Sequence, residues 1–378
     1  MKTALVITTI NKPTIAQDFC DNFEKFGHTK DESAIIIIGD RKSPNEESQA
    51  IADGLKARGF DVQYYDIPSQ EKWLQRFPEF AAIIPYNTDN RRNIGYVMAK
   101  EQGAGAIITV DDDNYPLPDV DFLGGHVAAL GERKGVEIVK SANGWFNICD
   151  MMTNDGGAKI FPRGFPYKSR KDYEKNELTY RTGDVRVMLN EGLWTNDPDV
   201  DAVTHLASDV RMIDLKEKKS LVLDLGTFSP INSQNTMFHI DLLPAYYFVL
   251  MGEKIDGLAL DRYGDIWQGL FMKKVMDTLG VYAAFGTPLA AHRRNSHNYF
   301  KDLKMELNGI IYTETIAEFL EQSTLKGANA SEAYADLTAQ LAAFVANDPR
   351  FGDDVKAFME KIRRCQMVWL ETLEKVRI

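Results

Sequence analysis

The chain has 378 residues, 44% hydrophobic and 26% charged, enough for one large domain or two with a full core. A formal net charge of −11 argues against a general nucleic-acid or membrane-surface binder, since both need clustered positive charge. The cysteines Cys20, Cys149 and Cys365 lie far apart without metal-ligand spacing, which argues against a disulfide scaffold and fits a reducing cytoplasm.

Residues 5–10 read as a first strand, closed by the polar turn Asn11-Lys12-Pro13-Thr14. Phe19, Phe23 and Phe26 then share one helical face. Residues 34–39 form a continuous apolar run, suited to a parallel strand covered on both faces, and it ends at Asp40. Glu46-Glu47-Ser48 introduces a helix, and residues 61–65 read as a third strand. This alternation predicts a doubly wound α/β sheet. Asp89 or Asn90 is the expected N-cap of a helix leading into residues 107–110, a β-branched strand. Residues 135–140 and 221–224 are further short strands. Residues 153–200, rich in Gly, Pro, Arg and Asp, read as site-forming loops, as does 228–235. Residues 261–269 open an apolar helix, and 291–298 gather His292, His297, Arg293 and Arg294. Beyond about residue 313 the pattern is helical, over 314–322, 331–346 and 353–376. The expected division is a domain over 1–312 and a helical extension over 313–378, which packs on the domain or supports a homo-oligomer. No apolar run reaches the ~18 residues of a membrane helix, and no signal-peptide cleavage region precedes the first strand. A cytoplasmic protein is expected.

The chemistry centres on Asp111-Asp112-Asp113, directly after the fourth strand. Three adjacent carboxylates repel one another, and hard oxygen ligands suit Mg²⁺ or Mn²⁺ shared with substrate phosphates. The carboxyl edge of an open α/β sheet is where such ligands bind. A nucleotide-sugar site also needs an acid near the base, cations for the leaving phosphate and an acid near the sugar. Asp40, then Arg92 or Arg293 with Arg294, then Asp265, are the candidates, with His292 completing the metal shell. Each has a plainer reading: a solvated acidic turn, surface arginines, a helix cap at Asp265, a structural histidine.

Several motifs in order resemble the reversibly glycosylated polypeptide family, whose plant members include UDP-arabinopyranose mutases. They are Arg92-Asn93-Ile94-Gly95-Tyr96, the triple aspartate, Phe146-Asn147, Arg163-Gly164-Phe165-Pro166 and Gly192-Leu193-Trp194-Thr195-Asn196 with Pro198-Asp199-Val200-Asp201. Asn235, Arg262-Tyr263-Gly264-Asp265-Ile266-Trp267-Gln268-Gly269 and the His292 loop follow. The N-terminal third, with Thr8-Thr9-Ile10-Asn11, is also similar to STELLO-type glycosyltransferase-like proteins. The resemblance implies a GT-A-type nucleotide-sugar-binding fold, a mixed and mainly parallel sheet with helices on both faces. It implies Mn²⁺ or Mg²⁺ on Asp111, Asp113 and His292, and a nucleotide-sugar donor, UDP-linked, on Thr8, Asp40, Arg92, Asp111, Asp112, Asn235 and Arg293. Asp265 and Arg163 are the implied catalytic residues, Arg163 falling where the family carries a glycosylated arginine. Gly264 replaces the first of two paired acids in the family, and Arg293 and Arg294 stand where it has serine and lysine. Those departures favour transfer of a sugar to a separate, unidentified acceptor; retention of Arg163 favours a mutase interconverting UDP-arabinopyranose and UDP-arabinofuranose. Transfer is the reading taken, the mutase the alternative. A non-catalytic binding subunit is the third, disfavoured by the intact acidic triad.

Overall fold

A computed structural model describes residues 1–216, 220–255, 257–294 and 298–376. Four parallel strands form one half of its main sheet: β1 (Thr3–Thr9), β2 (Ser33–Gly39), β3 (Val62–Tyr65) and β4 (Ala106–Asp111). Their order is β4-β1-β2-β3, so β1 sits between the two strands that end at Asp111 and beside Asp40. Alternate side chains explain why both faces are covered. Leu5, Ile7, Ile35 and Ile37 pack with Phe19 and Phe23 from the helix Ile15–Lys25. Val6, Ile36 and Ile38 pack on the opposite face with Ile94 and Val97 from the helix Arg92–Glu101. Gly95 permits that close approach, since a Cβ there would lie 2.5 Å from Val6 Cγ1.

Beyond β4 the sheet continues through Asn235–His239, Leu178–Glu191, Gly131–Ser141, Leu221–Leu223 and Tyr282–Phe285, giving nine strands of mixed direction. The mixed α/β architecture agrees with the expectation. Tyr282–Phe285 was not foreseen, and two further strands fall where loops were expected. Leu178–Glu191 lies inside the stretch read as loop, because charged residues interrupt its apolar positions and its buried residues begin only at Val185. Asn235, placed in a loop, begins a strand that pairs with β4 through Asn235↔Val110.

The expected cap is also different. A short 3₁₀ turn, Asp89–Arg91, precedes the Arg92–Glu101 helix, and neither Asp89 nor Asn90 caps it. Asn90 instead donates to the Phe248 carbonyl at 2.7 Å.

A second sheet of five short strands positions the loops. Ala290–His292 pairs with Asn114–Pro116 on one side and Trp194–Asn196 on the other, so His292 stands opposite Asn114 and Asn196. That register carries the His292 strand to the turn that holds Asp112 and Asp113. Residues 295–297, including His297, fall outside the described residues.

Three helices close the chain: Tyr299–Gln322, Ala330–Asn347 and Asp353–Lys375. The first passes through residue 312 without a break. The last packs on the main domain, with Trp369 fully buried beside Phe80 and Tyr247. Among the described residues no helix is long and apolar enough to cross a membrane.

Candidate functional site

A cleft of about 500 Å³ opens at the carboxyl ends of β1, β2 and β4. Thr8, Asp40, Arg92, Asp111, Asp112, Asp113, Arg163, Asp265 and His292 all line it, so most of the candidate residues are brought together. The size is that of a small-molecule site.

The three aspartates have three different partners. Asp111 accepts from Arg92 Nη2 at 2.6 Å. Asp112 accepts from Thr9 Oγ1 at 2.5 Å and from Asn11 Nδ2 at 3.2 Å. Asp113 Oδ2 lies 3.4 Å from His292 Nε2. Burial pushes the Asp111 carboxyl up to about 6, against the pull of Arg92. Burial also acts to raise Asp113, but the adjoining His292 outweighs it and holds the group below its ordinary value.

His292 is oriented by its other nitrogen, whose Nδ1–H donates to the Asp197 carbonyl at 2.8 Å. This fixes the ring and turns Nε2 toward Asp113, the arrangement that metal-binding histidines usually have. Adjacent oxygen or nitrogen ligands on one octahedral ion of this class stand roughly 3 Å apart, and the Asp113–His292 pair is close to that. Among the described residues no three His, Cys, Asp or Glu side chains converge as a ready ligand set. The pair therefore fits a hard cation that takes the rest of its shell from phosphate and water.

Arg92 is buried, and its two Nη atoms are spent on the protein. Besides Asp111 it donates to Thr109 Oγ1 at 2.8 Å, Thr8 Oγ1 at 2.9 Å and the Ser233 carbonyl at 3.0 Å. It fixes Thr8, β4 and the 233 loop around the cleft. Asp40 is buried too, with Oδ1 accepting from the Arg41 N–H at 2.7 Å.

The opposite wall is built on Arg163. Its Nε donates to Asp199 Oδ1 at 2.9 Å and its Nη2 to Asp265 Oδ2 at 3.1 Å. Gly164 allows this loop to lie against the helix Gly264–Leu279: its φ is +84°, and a Cβ would stand 2.2 Å from Ile266 Cγ2. Asp265 sits in the first turn of that helix but does not cap it; Tyr263 holds the cap position. Gly264 has no room for a side chain, because a Cβ would meet the Val249 carbonyl at 2.5 Å and Phe248 at 2.7 Å. Burial works against the charge on Arg163, but Asp199 and Asp265 overcome it and hold the guanidinium protonated, well above its ordinary range.

Two candidates lie elsewhere. Asn235 is fully buried away from the cleft, bonded to His126 at 2.9 Å and donating to the Leu193 carbonyl at 2.9 Å. Its carboxamide fills the space over Gly192, where a Cβ would be 2.6 Å away. Arg293 points outward, its guanidinium 4.5 Å from the centre of the Tyr115 ring. Arg294 lies in the cleft instead, with Nη1 donating to His205 Nε2 at 2.7 Å. Asp199 and Arg262 are cleft residues that no sequence argument singled out. Asp199 stood inside a quoted motif, but nothing in its neighbours distinguishes it from Asp197 or Asp201.

Fold and site together define an α/β protein with a carboxylate-rich cleft at the end of parallel strands. The chain belongs to the reversibly glycosylated polypeptide family, which it matches over residues 4–377. It is 29% identical over 328 residues to a probable UDP-arabinopyranose mutase 1 of Solanum tuberosum, covering 85% of this chain and 80% of that one. It is 30% identical to UDP-arabinopyranose mutase 3 of Arabidopsis thaliana, covering 71% and 67%. A solved structure, glucosyl-3-phosphoglycerate synthase from Mycobacterium tuberculosis with Mg²⁺ and uridine diphosphate, is 13% identical with a TM-score of 0.40, covering 86% and 82%.

Proposed function

We propose that the protein is a metal-dependent enzyme acting on a nucleoside-diphosphate sugar, and that it is a UDP-sugar mutase. The observation that carries the reading is the meeting, in one cleft, of the oriented Asp113–His292 pair and the buried Arg163–Asp265 pair. The relatives named UDP-arabinopyranose mutases, matched over most of the chain, support the mutase over transfer. Asp113 and His292 would hold Mn²⁺ or Mg²⁺, with the neighbouring Asp111 and Asp112 adding negative charge that favours a divalent cation there. The ion would supply charge stabilisation to the departing diphosphate. Asp40 lies at the other end of the strand edge, where the base would bind. Asp265 presents a carboxylate that accepts a hydrogen bond from a sugar hydroxyl and orients it.

Glycosyl transfer is the second reading, and one observation favours it. Arg294 reaches the cleft with no carboxylate partner among the described residues, so it offers a cation to an anionic acceptor or to the leaving diphosphate. Calorimetric titration of UDP tests the common core. Binding is expected to require Mn²⁺ and to weaken at least about tenfold in Asp113→Asn and His292→Ala, the loss typical of a removed ligand or its support. Equal, metal-independent binding by wild type and both variants would contradict the site.

A further inference from the structure

We infer that Gln234 hydrogen-bonds a hydroxyl of the sugar and so helps to select it. This rests on the functional reading above and adds a residue to which that reading gives no part.

Three side chains that line the cleft enclose a polar atom without a hydrogen-bond partner among the described residues: Asn90 Oδ1, Arg92 Nε and Gln234 Oε1. Asn90 and Arg92 are anchored through their other atoms, Asn90 to the Phe248 carbonyl and Arg92 to Thr8, Thr109 and Asp111. Gln234 is not. Its backbone N–H donates to Asn232 Oδ1 at 3.0 Å, but its carboxamide bonds nothing among the described residues, although Gln234 is only 6% exposed. Buried amides normally find partners, since enclosing one without them costs stability. A carboxamide that lines a ligand cleft and lacks them has its partner in the ligand.

The place of Gln234 along the cleft decides which part of the ligand it meets. The strand Asn235–His239 pairs antiparallel with β4 through Asn235↔Val110, which brings Gln234 level with Asp111. Asn235 turns to the opposite side, toward His126, as strand alternation requires. The Ser233 carbonyl accepts from Arg92 Nη1 at 3.0 Å, and the Ser233 hydroxyl reaches Asp111 Oδ1 at 3.5 Å. Asn232 Nδ2 donates to Asp199 Oδ2 at 2.9 Å in the opposite wall, and the Asn232 carbonyl accepts from Thr236 Oγ1 at 2.7 Å. Gln234 therefore sits on a fixed segment between the acidic strand end, where the diphosphate and its ion are placed, and the wall of Asp199 and Asp265, where the sugar is placed. An amide carries both a donor and an acceptor, and a half-turn of its end exchanges them. A hydroxyl, which also donates and accepts, is a matched partner. A phosphate offers acceptors only and would leave the carboxamide oxygen unpaired.

The test compares full-length wild type with Gln234→Met and Gln234→Leu, apolar side chains of similar size. Calorimetry with Mn²⁺ reads the affinity for UDP and for UDP-arabinopyranose, and thermal denaturation without ligand reads stability. Both variants are expected to bind UDP within about twofold of wild type and UDP-arabinopyranose about tenfold more weakly, the loss of one well-placed hydrogen bond. Their melting temperatures without ligand should equal or exceed that of wild type, because an unpaired amide has left the interior. A purely structural glutamine would give the reverse, a lower melting temperature with both ligands bound as before. Undiminished affinity for UDP-arabinopyranose would overturn the inference, as would a melting temperature lowered by more than about 2 °C or variants that do not fold. Either result beside a wild type that binds both ligands contradicts this inference alone; wild type that binds neither contradicts the functional reading as well.

Discussion

Glu191 carries a carboxyl into the interior behind the cleft, with no exposed surface. Thr236 Oγ1 donates to one of its oxygens and the Asn232 N–H reaches the other at 3.5 Å. Burial, the largest influence, pushes the group well above the ordinary carboxyl range. A folded pKa raised above the unfolded value, which is about 4.3, gives stability that is fully present below the unfolded value. That stability is lost as pH rises through the folded value. Glu191→Gln is therefore expected to flatten the decline of stability toward alkaline pH and to cost little at pH 5. Urea unfolding at pH 5 and pH 9 checks this; an unchanged slope would contradict the assignment.

At the same scale, sequence could show that Asp111, Asp112 and Asp113 matter but not which does what. The three become distinct only through residues 19 to 179 positions away: Arg92 with the 233 loop, Thr9, and His292. Arg293 and Arg294 illustrate the same limit, since adjacent arginines past the end of a strand look alike in sequence, yet one lines the cleft and the other lies against Tyr115.

Among the elements, β1, β2 and β4 were plain in the sequence because each is a run of β-branched and aliphatic residues buried on both faces. Leu178–Glu191 was hidden because its first half, with Tyr180, Arg181 and Thr182, is largely exposed and reads as polar loop. Asn235 was misplaced for a different reason: a buried polar residue at a strand start looks like a turn residue until its partners His126 and Leu193 are known. The Arg163 loop depends on Gly164, which combines a left-handed φ of +84° with contact against Ile266. Gly164→Ala should cost about 1–3 kcal/mol for the backbone strain alone, with further loss from the clash. Chemical denaturation measures it; a change below about 0.5 kcal/mol, the scale of a neutral surface substitution, would contradict the packing described.

For the whole molecule, the C-terminal helices share the main core. The same hydrophobic cluster includes Val6 and Ile36 of the parallel sheet and Leu337, Trp369 and Leu373 of the last two helices. Trp369 Nε1 donates to the Pro244 carbonyl at 3.0 Å, just beyond the strand that flanks β4. Trp369→Ala is expected to destabilise the entire chain by about 3–5 kcal/mol, with one cooperative transition. A separate transition confined to the C-terminal helices, read by hydrogen exchange, would contradict the shared core. The helical character of this region was legible from its periodicity. That it packs on the main domain was the default expectation; which residues receive it was not legible, because the aromatic partners Phe80 and Tyr247 are far away in the chain.

As a mutase, the protein would break and remake the bond between a sugar and a nucleoside diphosphate in this cleft without a second substrate. Purified protein with Mn²⁺ and UDP-arabinopyranose, without acceptor, tests it most directly, with the nucleotide sugars separated by chromatography. Metal-dependent formation of UDP-arabinofuranose is expected, lost in Asp113→Asn and His292→Ala. Unchanged UDP-arabinopyranose, in a protein that binds UDP with Mn²⁺, would contradict the mutase.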